Sequence, residues 1–200
     1  ELTRARQIRG IIAEADYLLD LHSMHLPCPA LMLSGTAAKG RRLAFAMGVP
    51  EFVVADPGHS AGPRMRDYGP FAQSQAEPTA LLIECGQHWA ADTGAVAIHA
   101  VFHFLEALGL IDRDTAAPFM ATNPPPQRMI EVVGPITIQT EAFRFTEDYT
   151  GLEVIPKTGT IIGHDGAQPV VTPHDDCVLI MPTHRPRPGQ TAVRLGKFID

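Results

Sequence analysis

Tyr17-Leu18-Leu19-Asp20-Leu21-His22-Ser23-Met24-His25 is the stretch on which the reading of this 200-residue chain turns. Its run of large apolar residues calls for burial and predicts a core strand. Period-2 alternation then turns Asp20 and His22 to one side. An imidazole at a strand end, with a carboxylate beside it, is a favoured way to hold a metal ligand in one tautomer. A strand-end histidine bonded to nearby backbone is the plainer alternative. A second stretch, Thr79-Ala80-Leu81-Leu82-Ile83-Glu84-Cys85-Gly86, has the same design: an apolar strand ending on a charged group. Ligands collect where the strands of an α/β sheet end, so His22 and Glu84 are expected to share one mouth.

Working outward, residues 3–15 read as a helix capped by Thr3, with Ala5, Ile8, Ile12 and Ala15 at helical spacing. Pro27 and Pro29 force a loop around Cys28. Residues 35–47 predict a second helix that carries Lys39, Arg41 and Arg42 outward and closes on Gly48. Residues 51–55 predict a short strand. The proline- and glycine-rich segment 56–78 reads as a long loop, and loops of that length usually form lids or walls of a site. A helix over residues 92–108 is expected to bury Ile98, Val101, Phe102, Leu105 and Leu108, leaving His99, His103 and Glu106 on another face.

Beyond Pro124-Pro125-Pro126 the helical periodicity stops. Short β-like runs follow at residues 129–133, 136–140, 142–146, 160–163, 177–181 and 192–198, separated by turn residues. The expected organisation is an α/β domain over residues 1–124 and a small β barrel or sandwich over 125–200.

Composition is globular, with 45% hydrophobic and 19% charged residues. The net charge of −6 argues against nucleic-acid and anionic-membrane partners. Three widely spaced cysteines, Cys28, Cys85 and Cys177, form no disulfide framework, which points to a reducing, cytoplasmic setting.

Several residue groups compete for a chemical role. His22-x-x-His25-x-x-Cys28 contains three metal-ligand types at a spacing that suits no common site. His99-x-x-x-His103 puts two imidazoles on one helical face, where a polar surface is the simpler reading. Cys85 alternates away from Glu84 and reads as a buried structural thiol. Near the mouth, His88 beside Gln87 and Trp89 is a candidate substrate contact. In the long loop, His59, Arg64, Arg66 and Tyr68 offer donors for a carboxylate or carbonyl oxygen, with Arg64 and Arg66 as the named candidates.

Asp20-Leu21-His22-Ser23 followed by Ile83-Glu84-Cys85-Gly86 resembles the succinylglutamate desuccinylase/aspartoacylase family, relatives of the zinc carboxypeptidases. The resemblance covers most of the chain and implies a zinc-carboxypeptidase-like mixed sheet with flanking helices, here incomplete, followed by the C-terminal β domain. It implies a Zn2+-dependent hydrolase that cleaves a small N-acyl amino acid. His22 matches the third zinc ligand and Glu84 the catalytic general base and acid, with Asp20 supporting His22 from behind. The family's first two ligands, a His-x-x-Glu pair, precede this strand, as does a substrate-gripping Asn-Arg pair. Neither is expected anywhere in this chain. The expectation is therefore a chain lacking its N-terminal portion and inactive by itself, since catalytic zinc needs about three protein ligands. A zinc carboxypeptidase acting on peptides and a metal-free binding module are the alternatives. The partner expected is a small-molecule substrate, and a homo-oligomer is compatible with an apolar β domain.

Overall fold

The structure, a computed structural model, describes residues 2–58 and 62–199. Its helices are α1 (Leu2–Glu14), α2 (Ala38–Met47), α3 (Thr93–Ala107) and α4 (Arg113–Ala116). The strands in the first half are β1 (Tyr17–Met24), β2 (Leu31–Leu33), β3 (Phe52–Ala55) and β4 (Thr79–Gln87). The second half adds β5 (Arg128–Thr137), β6 (Phe143–Phe145), β7 (Val154–Ile155), β8 (Ile161–Asp165), β9 (Gln168–Val171), β10 (Cys177–Ile180) and β11 (Thr191–Ile199).

Among the described residues, eight strands make one mixed sheet in the order β1-β4-β2-β3-β5-β11-β10-β7, and β6-β8-β9 form a second sheet. β1 and β4 run parallel, β2 enters antiparallel to β4, and β3 and β5 follow β2 in parallel. The remaining strands of the large sheet are antiparallel. A separate C-terminal barrel or sandwich was the expectation, and the described strands do not confirm it. β5 leaves the triple proline and pairs directly with β3, so the sheet crosses residue 124 without a break. Strand periodicity shows where β runs lie; it does not say which edge they join.

One face of the large sheet is covered by α2 and α3. Met32, Val53, Leu81, Ile83 and Cys85 point there and pack with Leu43, Ala44, Met47, Ala100 and Phe104. Burying a side chain of this size stabilises by about 1.5–3 kcal/mol. Alternation sends Leu31, Leu33, Val54 and Leu82 to the opposite face, where they meet Ile130, Val178 and Ile180. Glu84 lies two residues beyond Leu82, before the register shift that follows it on β4, and therefore shares this second face.

Four details depart from the sequence reading. Among the described residues β1 is the edge of the sheet rather than a core strand, with one strand neighbour and, within it, only Asp20 and Met24 buried. β2 has just three residues, all buried, too few to show a period. The inward face of α3 is rotated in part: Leu105 and Leu108 turn in as read, but Val96, Ala97, Ala100, His103 and Phe104 join them, while Ile98 is exposed. Lys39 is buried rather than outward, because irregular chain from residues 70–78 lies over α2 and needs donors. The Gly48 cap is as read, with φ 71°. No helix among the described residues is long and apolar enough to cross a membrane.

Candidate active site

β1 and β4 pair so that His22 stands directly beside Glu84 and Asp20 beside Leu82. Because neighbours in register point the same way, the three polar side chains converge on the face opposite the helices. His22 Nε2 lies 3.1 Å from Asp20 Oδ1, and its Nδ1 lies 3.9 Å from Glu84 Oε1. The imidazole is thus set between two carboxylates, one on each ring nitrogen. Both acids are buried, whereas the His22 side chain keeps 44% of its surface open.

Glu84 is the strained member. Burial pushes its pKa above the ordinary carboxylate value, and the Asp20 charge pushes the same way; His22 and Arg64 pull it back. Its Oε2 is buried and has no hydrogen-bond partner among the described residues. A buried acceptor left unpaired costs about 1–3 kcal/mol. Such an atom has a place where something else is to bind.

The loop after β3 folds back as a strap. Residues 65–67 and 69–72 form two short 3-10 turns that place the Arg64 and Arg66 side chains in the interior. Arg64 donates from Nη1 to Asp56 at 2.9 Å and from Nε to Asp67 at 2.6 Å. Its Nη2 has no partner among the described residues, and its charge is felt at Glu84. Arg66 turns away: it donates to Asp67 and, at 3.2 Å, to the Ser34 carbonyl. Arg66 fixes the strap through these bonds, and its Nε, like Arg64 Nη2, is buried without a partner among the described residues. Tyr68 accepts a bond from Arg9 on α1. His59 lies outside the described residues.

His88 is held apart from the Glu84 group. Its Nδ1 is 2.6 Å from Ser23 Oγ, and its ring packs edge-on against His25 with centroids 4.6 Å apart. With Trp89, which is 86% exposed, these rings form a rim beyond the ends of β1 and β4. Cys28 does not join His22 and His25 as a ligand cluster. It is half-buried, with its thiol pushed up to about 12 by burial and by the charges of Glu153 and Glu84. Cys85 packs in the helix-side core.

The chain does contain one His-x-x-Glu spacing, at His103 and Glu106 on α3. His103 spends both ring nitrogens internally, Nδ1 donating to the Met47 carbonyl at 2.7 Å and Nε2 accepting from the Ala121 amide at 3.2 Å. No group of three His, Cys, Asp or Glu side chains among the described residues is arranged to hold a metal ion. His22, flanked by carboxylates on both nitrogens, supplies one imidazole and does not make a zinc site with its present neighbours.

Three members of the neighbourhood escape the sequence reading. Asp56, 1% exposed, accepts from Arg64 and faces Arg194 of β11 at 3.1 Å. Arg194 sits in a run of buried apolar residues, Ala192-Val193-Arg194-Leu195, where a charge is a signal in itself. Asp67 completes the set.

No family model matches the sequence, and no curated protein matches it. Solved structures do match. Succinylglutamate desuccinylase from Vibrio parahaemolyticus superposes with a TM-score of 0.70 at 18% identity, over 100% of this chain and 61% of that one. A succinylglutamate desuccinylase/aspartoacylase from Rhodobacter sphaeroides gives 0.67 at 14% identity, over 99% and 63%. The ectoine utilization protein EutE (DoeB) from Ruegeria pomeroyi gives 0.63 at 15% identity, over 98% and 64%. This chain shares their fold. It spans a little over three-fifths of the length of these neighbours. The expected likeness to the desuccinylase/aspartoacylase architecture therefore holds, with a large mixed sheet and flanking helices.

Proposed function

We propose that this chain carries the proton-transfer part of an amidohydrolase centre that cleaves small N-acyl amino acids. One observation carries the reading: Glu84 is a buried carboxylate with a raised pKa and an unpartnered oxygen, in register with His22. A carboxylate raised toward the operating pH is suited to take a proton from water and return it to a leaving amine. Oε2, the oxygen without a partner among the described residues, is the atom that exchanges the proton. Asp20 and Glu84 together flank the imidazole and fix its place between them. Arg64 contributes its free Nη2 hydrogens to a substrate carboxylate or carbonyl oxygen.

The zinc implied by the resemblance needs about three protein ligands. The described residues offer His22 alone in that role, so two further donors have to come from elsewhere, and no step is assigned to the metal. The likeness to desuccinylase and aspartoacylase structures supports a small acylated amino acid over a peptide.

The test is hydrolysis of N-acetyl and N-succinyl amino acids, by the 200-residue chain and by the protein with any coding sequence upstream of Glu1 restored. The Glu84→Gln variant is expected to lose about 10²–10⁴ in turnover while its metal content stays unchanged. A Glu84→Gln protein that hydrolyses these substrates at the parent rate would falsify the assignment.

A further inference from the structure

Lys39 is 8% exposed, an uncommon position for a lysine in the first turn of a surface helix. No carboxylate among the described residues lies within ion-pair reach of it; the charge that acts on it is the like charge of Arg66. Its ammonium has three hydrogens to donate, and all three go to backbone carbonyls of the strap: Pro70 at 2.9 Å, Ala76 at 2.9 Å and Pro78 at 2.6 Å. The Pro70 carbonyl closes a 3-10 turn and also accepts from the Gln73 amide, while those of Ala76 and Pro78 lie in the irregular chain that follows, so a single cation closes nine residues of backbone onto α2.

The same short segment also receives the start of the strap. The Ser34 carbonyl accepts from Arg66 Nη2. Gly35, with φ 69°, has no side chain, and a Cβ there would run into the Arg66 guanidinium. Gly40 is likewise bare where the Ser34 carbonyl approaches it. Residues 34–40 are therefore a docking block with two grips, Arg66 at one end of the strap and Lys39 at the other. Arg64 stands just before the first grip, tied to Asp56 and Asp67, and its charge acts on Glu84.

We infer that Lys39 is a positioning residue for the Glu84 face: its ammonium clamps residues 65–78 to the first turn of α2 and thereby sets Arg64. The inference rests on the reading of Glu84 as the working carboxylate, but the clamp itself is measurable without turnover. In Lys39→Met, amide hydrogen exchange over residues 65–78 is expected to rise about a hundredfold, while amides of Leu81–Cys85 change by less than about threefold. The Nε–H signal of Arg64, protected by Asp67 in the parent, is expected to become fast-exchanging. In Lys39→Ala, ammonium chloride is expected to restore both sets of protection, because three converging carbonyls bind a free ammonium ion. Tetramethylammonium chloride, matched in ionic strength and without N–H groups, is expected to restore neither.

A folded Lys39→Met protein with parent-like exchange in the strap overturns the clamp. So does strap release that leaves the Arg64 signal protected, or a Lys39→Ala protein indifferent to ammonium. If Lys39→Met fails to fold, Lys39→Ala with and without ammonium decides the matter. A chain that hydrolyses nothing yet shows this exchange pattern keeps the clamp and removes only the hydrolase reading.

Discussion

Two groups of buried charge sit near each other in this protein and are treated in opposite ways. In the strap, Asp56, Arg64, Asp67, Arg66 and Arg194 form a chain of ion pairs in which every carboxylate meets at least one guanidinium. On the sheet face beside it, Glu84 is left with an unpaired oxygen, a carboxylate neighbour and a pKa pushed upward. The first arrangement spends its charges on holding chain together. The second keeps a charge uncompensated, which costs stability and makes sense where a reacting group is to be met.

The sharpest way to break this contrast is to unbalance the strap. Asp56→Asn leaves Arg64 and Arg194 facing each other without their shared carboxylate, and urea denaturation is expected to show a loss of about 3–5 kcal/mol. A loss below 1 kcal/mol would mean the network is not structural. The opposite sign is expected at the sheet face. Glu84→Gln removes a buried carboxylate that lacks a partner, and the same measurement is expected to show a gain of about 1 kcal/mol at neutral pH. Destabilisation there would place Glu84 among the structural charges.

His103 supplies a smaller, pH-dependent effect. Burial lowers its pKa below the ordinary 6.5, and its neutral ring accepts from Ala121. In the folded state it binds fewer protons than in the unfolded state, so stability is complete above pH 6.5 and declines as pH falls through that value toward the folded pKa. A drop of about 1 kcal/mol between pH 7 and pH 5 is expected, and a His103→Gln variant should flatten it. Trp89→Ala tests the far end of the scale. The ring is 86% exposed at the rim, and its loss is expected to change stability by no more than about 0.5 kcal/mol in the same titration.

The Glu84 face was legible in the sequence because its logic is local. Alternation alone puts Asp20 and His22 on one side and separates Glu84 from Cys85; only the register that joins the two strands had to come from the structure. The strap was not legible, because its logic is long-range. Nothing near Lys39 says that carbonyls from residues 70–78 will arrive above it, and nothing near Asp56 announces Arg194 from the other half of the chain. The strand runs after residue 128 could be read from their periodicity, whereas their membership of the first-half sheet depends on the parallel pairing of β3 with β5. α3 shows the limit of apolar patterning: an inward histidine displaced the stripe, and its partners Met47 and Ala121 are distant in sequence.

The position of β11 bears on how the molecule is made. Residues 191–199 lie inside the large sheet, between β5 and β10, and β5 in turn leans on β3. A ribosome delivers that strand after every other described strand has left the tunnel. Until then β5 has an open edge, so the nascent chain waits with a growing, unsealed sheet. Its vulnerability to misassociation is greatest just before residues 191–199 emerge.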